Sequence, residues 1–226
     1  MTHNFEQDLF NLIDHIDAYL ASLATPGAED VRAGIAAWRG GEVRRHEPRI
    51  LPPNRHMAEA LAFASDSGRR ELADAIAVIE PQLHWISYDH YPRALIGEGF
   101  ATGHSYAALI GREGCVPAED FELGLFLIAP NVLYRDHRHA APELYAPLTG
   151  PHGWRFSPGA SLEWRPAHSP VWNEPYQHHA TRVGEVPFLC IFGWTRDVDE
   201  IATIIPCDDW PMLEALGAGS PGTGAE

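Results

Sequence analysis

The stretch that decides the fold is residues 134–150, which read YRDHRHAAPELYAPLTG. Side chains two residues apart on a β-strand point to the same side, so His137 and His139 are expected to share one face of a strand. Pro142 has no N–H to donate to a neighbouring strand, and the chain is therefore expected to turn close to it. This stretch predicts two consecutive strands joined at that turn.

The return strand carries an acid and a phenol with the same spacing as the two histidines. Glu143 and Tyr145 are two residues apart and share one face. If the shared faces of both strands line the interior of a barrel, two imidazoles, a carboxylate and a phenol converge there. Imidazole nitrogens and carboxylate oxygens together suit a divalent ion of Zn, Fe, Mn, Co or Ni. The spacing therefore predicts a metal site.

A third imidazole is expected from a later strand. Residues 173–182 read NEPYQHHATR and offer two adjacent histidines. Neighbouring residues on a strand face opposite sides, so only one of His178 and His179 can enter the barrel. The other is expected at the surface or behind the site, and alternation leaves the choice between them open.

The second half of the chain has the pattern of a mainly β fold. After residue 83, short aromatic and β-branched runs alternate with Gly, Pro, Asn and Asp. Many short strands at close spacing favour a sandwich or barrel over a parallel α/β sheet. The candidate strands are residues 85–88, 104–110, 121–129, 133–139, 143–148, 153–156, 161–165, 180–182, 188–194 and 201–205.

The first third of the chain has a helical pattern. Apolar residues recur every three or four positions between Phe5 and Leu23, and further helices are predicted at 32–38 and from about 57 to 79. We therefore expect a helical region, residues 1–82, that packs on a β-barrel, residues 83–212. Residues 213–226 are rich in glycine and are expected to form a flexible tail.

Composition excludes several classes of partner. The formal net charge is −15, which repels nucleic acid and attracts a cationic small molecule. No stretch approaches the ~20 apolar residues of a membrane span, so no membrane partner is expected. The first residues do not read as a secretory signal, and three widely spaced cysteines fit a reducing compartment. The predicted location is the cytoplasm.

The histidines and the acid also match a known motif. The spacing H-x-H-x(3)-E-x(6)-G, formed here by His137, His139, Glu143 and Gly150, resembles the first motif of the cupin superfamily. The glycine that usually opens this motif is replaced by Asn131. The second general cupin motif, P-x-G-x(2)-H-x(3)-N, is absent around the later histidines. The resemblance implies a cupin double-stranded β-helix, or jelly-roll barrel, which here carries an α-helical N-terminal region.

A narrower resemblance is to the cupin-type dimethylsulfoniopropionate (DMSP) lyases. It rests on residues 123–131, LGLFLIAPN, on Tyr134 and on the H-x-H-x(3)-E-x-Y pattern that follows. The later H-A-T-R that begins at His179 and the PFL at 187–189 also match. The similarity extends over most of the predicted barrel.

This resemblance implies a metal-dependent carbon–sulfur lyase that cleaves DMSP to dimethyl sulfide and acrylate by β-elimination. Its substrate is a small molecule with a carboxylate. Tyr145 would be the catalytic base or a further ligand, and Tyr134 a second catalytic tyrosine. The implied metal ligands are His137 or His139 or both, together with Glu143 and His179.

The sulfonium end of such a substrate needs apolar contact and aromatic faces rather than hydrogen bonds. Several aromatic side chains in the second half could supply them, and the sequence does not single one out. They are Trp154, Trp164, Trp172, Tyr176 and Trp194.

Two other kinds of function fit the same residues. Cupin dioxygenases and sugar isomerases use similar histidine and glutamate ligands, and a cupin can also bind a small ligand without catalysis. A homodimer is also plausible, because sandwich sheets present edges that pairing would cover.

Overall fold

Two β-sheets make up the second half of the chain in the computed structural model, which describes residues 4–216. The six-stranded sheet has the order β2-β1-β3-β10-β5-β8, and the five-stranded sheet has the order β11-β4-β9-β6-β7. All strand pairs are antiparallel except β1 with β2. The strands are β1 (His104–Gly111), β2 (Val116–Pro117), β3 (Glu122–Ile128), β4 (Leu133–Arg138), β5 (Glu143–Pro147), β6 (His152–Arg155), β7 (Glu163–Arg165), β8 (Val171–Asn173), β9 (His179–Val183), β10 (Phe188–Trp194) and β11 (Thr203–Ile204).

Seven α-helices lie within the described residues, and six of them precede the first strand of the sheets. Asn4 caps the first helix by accepting a hydrogen bond from the N–H of Glu6. The helices are α1 (Phe5–Ala21), α2 (Ala28–Trp38), α3 (Met57–Ala64), α4 (Arg70–Ile79), α5 (Arg93–Ile96), α6 (Glu98–Gly103) and α7 (Trp210–Ala215). None of the helices within residues 4–216 combines the length and the hydropathy that crossing a bilayer requires.

The helices cover one face of the six-stranded sheet. Leu125 on β3 and Ile191 on β10 belong to the same buried cluster as Leu12 and Ile16 of α1. The hydroxyl of Tyr19 also donates a hydrogen bond to the backbone oxygen of Pro147, at 2.9 Å. Burial of apolar surface on both partners thus joins the helical region to the barrel.

The other face of that sheet points between the sheets. Phe126, Tyr145, Cys190 and Phe192 alternate with the helix-facing residues and form a second buried cluster. The prediction of a double-stranded β-helix with an α-helical N-terminal region is confirmed.

Several local features differ from the sequence-based expectation. Residues 85–88 form no strand and make only an isolated bridge from Ile86 to Tyr106, while the short strands β2 and β8 were not predicted. The long helix expected up to residue 79 is broken by Gly68, whose φ of 92° lies in the left-handed region that glycine tolerates. Residues 213–215, placed in the predicted tail, belong to α7, and residues 217–226 lie outside the described residues.

The departure from the cupin motif at Asn131 has a conformational explanation. Asn131 has a φ of 60°, in the left-handed region. Glycine adopts this conformation freely, and asparagine tolerates it better than most other residues. The turn between β3 and β4 therefore forms without the usual glycine.

Candidate metal centre

Strands β4 and β9 place the first two histidines. His137 on β4 is paired directly with His179 on β9, so both side chains point to the same side of the five-stranded sheet. Their ring centroids are 4.0 Å apart. His139 follows the end of β4, and its ring centroid lies 5.1 Å from that of His179.

The three imidazoles form one buried cluster. One ligand atom from each of His137, His139 and His179 can be chosen so that all lie within 4.8 Å of one another. Each Nδ1 lies 2.8–2.9 Å from a backbone carbonyl oxygen, of Arg135, Ala141 and Gln177 respectively. If each Nδ1 carries the ring proton, it donates a hydrogen bond to its carbonyl oxygen, and the lone pair of the ring lies on Nε2.

Two of the three Nε2 atoms are left unsatisfied by the described part of the chain. Those of His137 and His179 are buried and have no hydrogen-bond partner among the described residues. Burial first, and then the neighbouring imidazoles, hold the pKa of both rings well below the ordinary histidine value. Both rings are therefore neutral, which is the form that binds a metal ion.

Glu143 completes the donor set from β5. Its side chain is buried, and its Oε2 lies 2.9 Å from Nε2 of His139 and 3.7 Å from Nε2 of His179. Burial raises the pKa of this carboxyl, but the adjacent His139 and then His179 more than offset it, so the pKa lies below the ordinary value. The three imidazoles converge next to this carboxylate, and two of their Nε2 atoms have no hydrogen-bond partner among the described residues, an arrangement that fits a divalent cation.

The structure separates the two adjacent histidines. His179 points into the cluster, whereas His178 points to the opposite side and places Nε2 2.5 Å from Oδ1 of Asp136. Asp136 is fully buried and also accepts hydrogen bonds from Arg155 and from the indole of Trp210. His178 is therefore part of a polar network behind the site.

Tyr145 lies beside the cluster. It follows Glu143 by two residues on β5, and its ring centroid is 6.3 Å from that of His179. Burial, followed by the charge of Glu143, raises the pKa of its phenol well above 10. When only the charges of the protein act on it, the Tyr145 hydroxyl is therefore protonated at neutral pH.

A strand irregularity brings Tyr134 to the same side. Between Tyr134 and His137, β4 advances three residues while its partner β9 advances two, from Thr181 to His179. This bulge cancels the alternation that would have turned Tyr134 away, and its ring stacks on His137 with centroids 3.9 Å apart. Its side chain is buried, and its hydroxyl lies 2.8 Å from the hydroxyl of Tyr91.

A cavity of about 570 Å³ opens onto these side chains. His139, Glu143, Tyr134 and Tyr145 line its inner end. Of the five aromatic residues considered for a sulfonium, Trp194 alone lines it, and its ring stacks on His139 with centroids 4.6 Å apart.

Two further residues of the cavity were not predicted from the sequence. Tyr91 precedes α5, in a region where no pattern indicated a partner for Tyr134. Glu122 begins β3 and shares the inner face with Gly124 and Phe126, so the alternation along that strand could have identified it.

Comparison with solved structures shows where this architecture occurs. The DddQ DMSP lyase from Ruegeria pomeroyi DSS-3 matches 88% of this chain and 96% of its own, with a TM-score of 0.66 and 20% identity. A structure described under "DMSP lyases RdDddP and RnDddQII" matches 90% of this chain and 100% of its own, with a TM-score of 0.66 and 17% identity. At such identities these matches show a shared fold.

The sequence family is assigned by a separate comparison. No curated protein matches the chain. The model of the dimethylsulfoniopropionate lyase family matches residues 31–190, which include most of α2, the helices α3 to α6 and all of the candidate metal centre. On this match over most of its length, the chain belongs to the dimethylsulfoniopropionate lyase family.

Proposed function

We propose that this protein is a metal-dependent lyase that cleaves DMSP to dimethyl sulfide and acrylate by β-elimination. The observation that carries the proposal is the buried cluster of three imidazoles, with Glu143 and Tyr145 beside it at the end of a cavity. Family membership supports lyase chemistry.

The proposed ligands are the three imidazoles and one carboxylate. His137, His139 and His179 would bind through Nε2, since each Nδ1 has a backbone carbonyl within hydrogen-bond distance. Glu143 would bind through the oxygen that now faces His139. A divalent cation of Zn, Fe, Mn, Co or Ni held there would polarise the substrate carboxylate and favour the phenolate form of a nearby tyrosine.

Tyr145 is the proposed base. Its oxygen takes the proton from the carbon next to the substrate carboxylate, and the electron pair of that C–H bond forms the new C=C bond. The bond from the β-carbon to sulfur then breaks with its electrons on sulfur, and neutral dimethyl sulfide leaves. Because Tyr145 shares the inner face of β5 with Glu143, its phenol lies beside the position proposed for the carboxylate.

Tyr134 is the proposed second catalytic tyrosine. Tyr134 lines the cavity, and its hydroxyl lies 2.8 Å from the hydroxyl of Tyr91. The pair can pass a proton between two hydroxyls without admitting bulk water. Stacking against His137 on one side and Phe100 on the other fixes the plane of the Tyr134 ring.

The walls of the cavity suit the other end of the substrate. Phe126, Phe192 and Trp194 present aromatic surfaces next to Tyr145. Such surfaces attract a sulfonium by cation–π contact, on the order of 1 kcal/mol each, and require no hydrogen bonds from it.

The test is direct product detection. Purified protein loaded in turn with each of the five metals is incubated with DMSP, and dimethyl sulfide in the headspace and acrylate in solution are quantified. We expect equal amounts of both products with at least one metal. Absence of both products with every metal would reject the proposed reaction.

A further inference from the structure

Glu122 lies in the same row of the sheet as Glu143. Strand β10 runs between β5 and β3, and Trp194 is paired with Glu143 on one side and with Glu122 on the other. Directly paired residues face the same way, so all three side chains point into the cavity, and all three line it. The backbones of the two acids are two strand spacings apart, about 10 Å.

The carboxyl of Glu122 has no counter-charge among the residues that the structure describes. Among residues 4–216, no side chain or backbone group forms a hydrogen bond or ion pair with it. The cationic side chain that shares the cavity, Arg112, is paired with Asp199 at 2.6 Å. Burial, followed by the charge of Glu143, raises the pKa of Glu122 to about 7. A partly buried carboxyl without a partner is costly, and a bound cation would offset that cost.

The structure makes room for this side chain instead of turning it to solvent. A Cβ atom on Gly111 would lie 3.1 Å from Cγ of Glu122, so the glycine leaves the space that the carboxylate arm occupies. Without this glycine the arm would have to shift. The carboxyl is therefore accommodated at the cavity wall.

The side chains around Glu122 are aromatic. Tyr88, Tyr106, Phe192 and Trp194 line the same part of the cavity, and the rings of Tyr106 and Phe192 meet edge to face with centroids 6.0 Å apart. An anion within an aromatic wall favours an alkylated onium group, because such a cation offers apolar surface and charge without needing hydrogen-bond acceptors.

We propose that Glu122 is the counter-ion for the cationic end of the substrate, so that it determines specificity for small zwitterions with a carboxylate at one end and an alkylated onium group at the other. This inference rests on the proposed function, in which the carboxylate end lies at the metal centre beside Glu143. A substrate with a chain of three carbons suits this arrangement, because both side chains point into the same cavity from backbones about 10 Å apart.

Two non-reacting probes isolate the charge. The ions 3-(trimethylammonio)propanoate and 4,4-dimethylpentanoate have the same shape. The first has a positively charged nitrogen where the second has a neutral carbon. Calorimetric titration of the zinc-loaded full chain should show about 10-fold tighter binding of the ammonium probe, and Glu122→Gln should remove that preference while changing the affinity for the neutral probe less than about twofold.

Two variants control the experiment. Glu113→Gln neutralises an exposed acid that lines the same cavity and should keep the preference, because its charge is screened by water. Glu122→Asp keeps the charge and should retain a preference of several fold, which guards against a misfolded Gln variant. The inference is overturned if the wild type does not prefer the ammonium probe, or if Glu122→Gln keeps the preference. Binding needs no turnover, so a failure to release dimethyl sulfide would reject the lyase proposal separately.

Discussion

His137 on β4 lies directly opposite His179 on β9, and their ring centroids are 4.0 Å apart. Within the described part of the chain, neither Nε2 has a hydrogen-bond partner. A buried nitrogen left without a partner costs about 1–3 kcal/mol, so two such atoms facing a common point are a costly arrangement in a purely structural role. A shared cation accounts for both.

Replacing His179 by Ala should remove the metal. Loss of one of the four proposed ligands should lower zinc affinity at least about 10-fold, as measured by competition with a chelator. Thermal unfolding gives a second measurement, since zinc should raise the melting temperature of the wild type and have little effect on the variant.

The adjacent histidine provides a matched control. His178→Ala should retain one metal ion per chain, because this imidazole faces Asp136 and not the cluster. If both variants lost the metal equally, the assignment of His179 would be wrong.

Replacing Tyr145 by Phe should separate catalysis from metal binding. Removal of the proposed base should lower kcat for acrylate formation at least about 100-fold, while elemental analysis finds the same metal content as in the wild type. Tyr106→Phe changes another phenol of the same cavity and should alter kcat only a few fold. Full activity in the Tyr145 variant would rule this residue out as the base.

Asp136 should be important for stability. The Asp136 carboxylate accepts hydrogen bonds from the fully buried side chain of Arg155 and, at 2.7 Å, from the indole N–H of Trp210. Asp136→Asn leaves a buried guanidinium with less compensation and should lower the free energy of unfolding by roughly 3 kcal/mol. Asp209 also pairs with Arg155 but is 25% exposed, so Asp209→Asn should cost clearly less. Equal losses in urea unfolding would contradict this ranking.

Acid should destabilise the fold in part through His104. Burial lowers the pKa of this imidazole to about 4, below its ordinary value of 6.5. Between these values the unfolded chain binds a proton that the folded chain does not, so stability is complete above pH 6.5 and falls as the pH is lowered. From about pH 7.5 to about pH 5 the loss from this group is about 2 kcal/mol.

His104→Gln should lose about that much less stability over the same interval. Urea unfolding of both proteins at the two pH values gives the comparison. An identical pH dependence in the two proteins would show that His104 makes no such contribution.

Strand alternation in the sequence predicted much of the fold and identified side chains that lie together at the candidate site. The pairs His137 with His139 and Glu143 with Tyr145 lie on the inner side as their spacing indicated. Their role as ligands and base stays a prediction that the variants above test.

The features of the site that could not be predicted from the sequence depend on contacts between distant segments. The bulge that turns Tyr134 inward is a mismatch between two strands, which neither strand reveals alone. The register of β9 likewise decides between His178 and His179. Tyr91 meets Tyr134 from a segment 43 residues away, and local pattern carries no information about such a contact.

The central claim is that one divalent cation, held by His137, His139, Glu143 and His179, is required for DMSP cleavage. The most direct test titrates metal into metal-free protein and measures dimethyl sulfide release at each step. The rate should be negligible without metal, rise in proportion to bound metal and level off at one equivalent per chain. A metal-free protein with the full rate, or a metal-saturated protein that releases no dimethyl sulfide, would contradict the account.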